Sequence, residues 1–125
     1  MDIYERLKKL NIELPPPPPP GGLYSPIKYF GDKLIYTSGV GPTDSTGAAV
    51  YTGILGRDLS VEEGAAAARL ATLNILGVLD AQLGDLNKIK TIETGKIRNC
   101  DQRTARQYPR GDRAAYRTQV KPKAD

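Results

Sequence analysis

The sequence predicts an α+β fold, a sheet packed against helices, and three features predict it. Ile27–Phe30 and Leu34–Thr37 are short β-rich runs around Gly31-Asp32-Lys33, the pattern of a hairpin. Residues 61–83 carry a helical apolar period behind a capping signal. Ile89-Lys-Thr-Ile92 then begins a new strand after a polar connector.

The remaining elements follow in chain order. Residues 2–11 read as a short helix, since Ile3, Leu7 and Leu10 fall at i, i+4 and i+7 while Glu5, Lys8 and Lys9 face away. Residues 15–20 are six consecutive prolines, which force an extended polyproline II backbone without donors. Such a run serves as an SH3 or WW ligand, or as a stiff strap across the domain surface, and Gly21-Gly22 releases it. After the hairpin, Ser38-Gly39-Val40-Gly41-Pro42 ends the second strand, where two glycines permit a backbone geometry or a close approach that a β-carbon forbids. Asp44, Ser45 and Gly47 mark a turn, Val50 and Tyr51 a further short strand, and Gly53 and Gly56 a loop. Ser60-Val-Glu-Glu63 is a capping box with both acids at the positive end of the helix dipole. The helix behind it spans roughly 35 Å at 1.5 Å per residue. Thr72, Ile75, Leu76, Leu79 and Leu83 form its apolar face, Arg69, Asp80 and Gln82 face elsewhere, and Gly84 is the C-cap.

Composition narrows the function. The 125 residues are at most one domain, with a hydrophobic share of 39%. No apolar run approaches the ~20 residues of a membrane helix, and no apolar signal core stands near the N-terminus, so a cytoplasmic protein without membrane partners is expected. Cys100 is the single cysteine and histidine is absent, which excludes an intrachain disulfide, Cys-His catalysis and histidine-based metal sites. Residues 1–92 hold nine Lys/Arg against ten Asp/Glu, whereas residues 93–125 hold nine against four. The excess positive charge of the chain therefore lies in its last quarter.

Five motifs in order resemble the Rid (YjgF-like) family, reactive-intermediate deaminases also described as L-PSP-like endoribonucleases. They are the proline-rich lead-in to Gly22-Leu23-Tyr24-Ser25-Pro26 and the strand Ile35-Tyr-Thr-Ser-Gly39. The helix start Asp58-Leu-Ser-Val-Glu-Glu-Gly64, the helix body Ala67-Ala-Arg-Leu-Ala-Thr-Leu-Asn74 and Leu83-Gly-Asp-Leu-Asn-Lys-Ile-Lys90 complete them. The likeness covers residues 3–92, and the proline run points to a subgroup with an N-terminal extension. It implies a chorismate-mutase-like mixed sheet backed by helices, assembled as a homotrimer with ligand clefts between subunits. It implies hydrolysis of imines and enamines without metal or organic cofactor: water attacks the C=N carbon and ammonia leaves. It also implies that Tyr24 lines the cleft and that the Gly39 backbone faces the substrate; read without the family, Tyr24 is a packing aromatic and Gly39 a turn.

After Ile92 the pattern departs. The family's second half supplies a helix, further strands, a carboxylate-clamping arginine and a water-positioning glutamate, and here the second half reads as incomplete. Arg113 stands at a plausible chain distance for the clamp, but its surroundings do not alternate like a strand, so no clamp and no catalytic residue is assigned. The expected organisation is a Rid-like domain over residues 1–92 and a basic tail over 93–125, irregular from about Gly95. Three readings stand side by side: an imine/enamine deaminase; a non-catalytic member that binds a small ligand, or RNA through the Arg/Tyr-bearing tail; and a chain whose residues 93–125 come from a shifted reading frame.

Overall fold

Most of the elements among the described residues follow from these local signals. The computed structural model describes residues 2–20, 22–96 and 117–122. Helix α1 covers Ile3–Lys9, strands β1 and β2 cover Ile27–Phe30 and Leu34–Thr37, and helix α2 covers Val61–Leu83. A 3₁₀ turn at Leu86–Lys88 leads into β3 (Ile89–Lys96), and β4 covers Arg117–Pro122. The α+β expectation holds, with a four-stranded sheet in the order β1-β2-β4-β3.

Among the described residues all three pairings are antiparallel, where a mixed sheet is expected. The physical reason is β4. It lies between β2 and β3, pairing Ile35 with Val120 and Tyr36 with Gln119 on one side and Ile92 with Val120 on the other. Strands β2 and β3 run parallel to each other, as the crossover through α2 requires, but β4 separates them. The expected irregular chain from about Gly95 onward is thereby corrected for residues 95–96 and 117–122. A central strand is held by backbone bonds on both edges, so Arg-Thr-Gln-Val-Lys-Pro joins the sheet without apolar alternation. The expectations for residues 97–116, Cys100 and Arg113 among them, lie outside the described residues.

Helix α2 begins as its capping box demands: Ser60 Oγ accepts from the Glu63 amide at 3.1 Å and the Glu63 carboxylate accepts from the Ser60 amide at 3.0 Å. Gly84 closes it in the left-handed conformation, φ 75°. Its buried stripe is Ala71, Asn74, Ile75, Val78, Leu79 and Leu83. The expected face is corrected at two positions, since Thr72 is exposed and Leu76 half-buried. Thr72 Oγ1 instead donates to the carbonyl of Ala68, one turn back. The core joins this stripe to Ile27 and Ile35 of the hairpin and to Leu86, with Ile35, Leu79 and Leu86 fully enclosed. By length and composition α2 is apolar enough to cross a membrane, which the sequence reading missed because alanines rather than one long leucine run supply the apolarity. A third of its 18-residue apolar stretch, 33%, is buried within the fold.

Two further expectations shift. Val50 and Tyr51 form bends, not a strand, because the Asp44 turn draws Thr43 and Ala49 into an isolated bridge before them. Helix α1 stops at Lys9, with Asn11 at φ 52° and Leu10 exposed, so Ile3, Leu7 and Leu14 are what pack on the core. Asp2 caps it, accepting from the amide of Tyr4.

The proline run is a strap. The carbonyl of Pro15 lies so close to Gly77 that a β-carbon there would stand 2.4 Å from its oxygen. Gly77 is two residues from both Ile75 and Leu79, hence on the side of α2 opposite their midpoint at 3.6 residues per turn. The strap therefore crosses the back of the helix, away from the sheet. Pro19 rests near the turn at Gly47, whose added β-carbon would meet its Cγ at 3.0 Å.

Gly77→Ala is expected to destabilise the protein by about 1–3 kcal/mol through overpacking, against the ~1 kcal/mol by which alanine favours a helix. Urea denaturation checks the sign, and stabilisation would show that the strap does not sit on Gly77. A second expectation concerns pH. Burial first, then the hydrogen bond donated to Asp80, pushes the Tyr4 phenol above its ordinary value, and its oxygen also accepts from the Leu86 amide at 2.8 Å. The fold favours the neutral phenol, so this stabilisation is complete below the ordinary tyrosine value and fades as pH rises through the raised one. Tyr4→Phe should flatten the loss of stability above about pH 10, read by denaturation at neutral and alkaline pH.

Candidate active site

The second strand ends where the lead-in to the first strand returns, and hydrogen bonds knit the two. The Ser38 amide donates to the Pro26 carbonyl at 2.9 Å, and the Ser38 hydroxyl donates to the carbonyl of Ser25. Ser25 Oγ in turn donates to the Ile27 carbonyl at 2.6 Å. Tyr24 directly precedes this clasp and Gly39 directly follows it, so the fold brings both sequence-predicted site residues to one corner. Tyr24 is 47% exposed there, and Gly39 is half-buried.

Beside the clasp lies an open recess of about 290 Å³ lined by Phe30, Tyr36, Thr37 and Ser38. Phe30 and Tyr36 meet edge to face, with centroids 4.8 Å apart and planes at 75°. The hairpin register pairs Phe30 with Leu34 and Lys28 with Tyr36. Lys28, Phe30, Leu34 and Tyr36 consequently share the sheet face turned from α2, opposite the buried Ile27, Ile35 and Thr37.

Gly39 and Gly41 do not use the left-handed backbone; among the described residues it occurs at Asn11, Gly31, Gly47, Gly53, Gly56 and Gly84. What fixes the stretch is Asn74, a residue the sequence reading passed over. Its side chain, 2% exposed, donates to the carbonyls of Gly41 at 3.0 Å and Thr43 at 2.9 Å. The available signal was an amide inside the apolar register of α2, between Ala71 and Val78, where a polar group persists only if it is paired. Beyond it, Asp44 accepts from the Thr46 hydroxyl at 2.6 Å and from the amides of Thr46 and Ala48. The Thr46 hydroxyl first, then its amide, holds the Asp44 carboxyl below the usual carboxylate range.

Among the described residues the corner thus offers hydroxyls and paired backbone rather than a charged triad. Among the described residues no cluster of His, Cys, Asp and Glu has the makings of a metal site. A small planar substrate would find an aromatic wall, the Ser38 hydroxyl and a fixed strand end.

Comparison with known proteins agrees with this architecture. A family model described as "YjgF/chorismate_mutase-like, putative endoribonuclease" matches residues 4–114, and so runs past Ile92. The crystal structure of a putative endoribonuclease from Shewanella oneidensis superposes with a TM-score of 0.74 at 26% identity, covering 94% of this chain and 97% of that one. A protein of unknown function from Agrobacterium tumefaciens gives 0.69 at 26% identity, covering 96% and 92%. Protein TCP17 of Trypanosoma cruzi is 37% identical over 86 residues, 69% of this chain, which spans about half of that relative (52%).

Asn74→Ala is expected to cost about 1–3 kcal/mol, because two carbonyls lose their donor in a buried place. Chemical denaturation measures it; a change below about 0.5 kcal/mol, the surface background, would mean the amide does not hold the loop.

Proposed function

This chain belongs to the YjgF/chorismate-mutase-like family, and we propose on that premise that it hydrolyses imines and enamines derived from amino acids. The observation that carries this reading is the Ser25–Ser38 clasp, which ties the segment after Tyr24 to the strand end before Gly39, next to the aromatic recess. A planar C=N group stacks against an aromatic wall while backbone and hydroxyl groups hold its ends. Water adds to the iminium carbon, a proton passes to nitrogen, and the tetrahedral adduct expels ammonia as the carbonyl forms. Without histidine, proton transfer runs through water, a carboxylate or the substrate itself. A homotrimer completes the cleft in this reading. The open sheet face, with Phe30 51% and Tyr36 42% exposed, supports it as the surface a neighbouring subunit covers. A cytoplasmic setting belongs to the same proposal.

A second reading, RNA binding or cleavage, is favoured by the basic residues 93–125 and by the Shewanella relative's description as a putative endoribonuclease. Such binding would be independent of sequence and would fall steeply with salt.

The test generates 2-imino acids in situ with an amino-acid oxidase and follows ammonia and keto-acid release. Turnover by the full chain is expected to persist in EDTA and to drop at least about tenfold in kcat/KM, about 1.4 kcal/mol, for Tyr24→Ala. Undiminished turnover by Tyr24→Ala, chelator-sensitive turnover, or a monomeric mass in solution would each overturn the reading. RNA degradation in the absence of imine turnover would favour the second.

A further inference from the structure

We propose that residues 15–20 are a displayed polyproline ligand for a proline-reading domain whose aromatic-lined groove asks for no flanking charge. This rests on the strap alone and is independent of the chemistry at the Tyr24 corner. Polyproline II has three residues per turn, so it presents three edges. Exposure along the run follows that period: Pro15 and Pro18 are half-buried, while Pro16, Pro17, Pro19 and Pro20 are exposed. One edge is seated on the protein, with the Pro15 carbonyl against Gly77, and the other two edges remain exposed although Pro19 touches the turn at Gly47.

Proline-reading grooves grip such a helix from one side, placing pairs of ring edges between aromatic side chains, and need no backbone donor from it. Pro16-Pro17 and Pro19-Pro20 are two such pairs, one turn apart, on a run of about 19 Å at 3.1 Å per residue. The segment is also pre-organised twice over, by its pyrrolidine rings and by its seat on α2, which lowers the ordering cost of association. The charge pattern selects among readers. No Lys or Arg occurs between Lys9 and Lys28, and Glu13 is the single charged residue in that interval. A groove that depends on an acidic pocket for a flanking arginine gains nothing here, whereas one that reads proline rings alone loses nothing. Because the strap crosses the back of α2, it lies away from the open sheet face, and both surfaces can be engaged at once.

The test titrates the full-length chain with a profilin, a domain that reads uncharged poly-L-proline, alongside one SH3 domain, by calorimetry. Saturable binding to profilin is expected, displaced by free poly-L-proline. The variant P16A/P17A/P19A/P20A should weaken it at least about tenfold, and P15A/P18A by less than about threefold. Circular dichroism establishes that both variants remain folded, and the displacement experiment needs no variant. Absence of binding at about 1 mM profilin, binding to the SH3 domain alone, failure of poly-L-proline to compete, or equal loss in both variants would overturn the proposal.

Discussion

The contact between one stripe of α2 and the buried side of the hairpin is the constraint from which the rest of the molecule hangs. Ile35, Leu79 and Leu86 are wholly enclosed, and Ile27, Ile75, Val78 and Leu83 close around them. Each such side chain contributes on the order of 1.5–3 kcal/mol by leaving water. Among the described residues the core is small, so much of their tertiary arrangement depends on these few side chains. The same helix carries three other attachments. Asn74 reaches the loop after Gly39, Gly77 receives the strap, and Asp80 takes the hydrogen bond of Tyr4 that ties α1 down. Orienting α2 against the sheet therefore fixes the loop, the strap and the first helix together.

What the sequence made legible were the elements whose signals are local. The hairpin around Gly31, the Ser60–Glu63 box and the Gly84 cap are each specified within a few residues, and the structure reproduces all of them. The helix face was misjudged at Thr72 because a β-branched residue on an apolar period counts as core until its hydroxyl finds the carbonyl of Ala68. The failure at β4 has a different origin. Arg117–Pro122 owes its strand character to the edges of β2 and β3, and pairing across so many intervening residues leaves no trace in local composition.

At the candidate site the division is similar. The family motifs brought out Tyr24 and Gly39, but not the serines that draw them together, since Ser25 and Ser38 act through backbone carbonyls that any residue possesses. Asn74 was legible in principle, as an amide among aliphatic neighbours, yet its partners Gly41 and Thr43 lie more than thirty positions away, at separations of 33 and 31. Sequence patterns point to groups that carry chemistry more readily than to groups that hold others in place.

The position of β4 bears on how the polypeptide acquires its structure as it is made. During synthesis the hairpin and α2 leave the ribosome long before Arg117, and until then the slot between β2 and β3 is empty. Until Arg117–Pro122 is made, the edges of β2 and β3 that it joins lack their partner. Contacts of such high order form slowly, because loop closure precedes any gain from pairing. Sheet completion thus comes after the hairpin and α2 are made, and the window before it is when nascent-chain chaperones have most to shield.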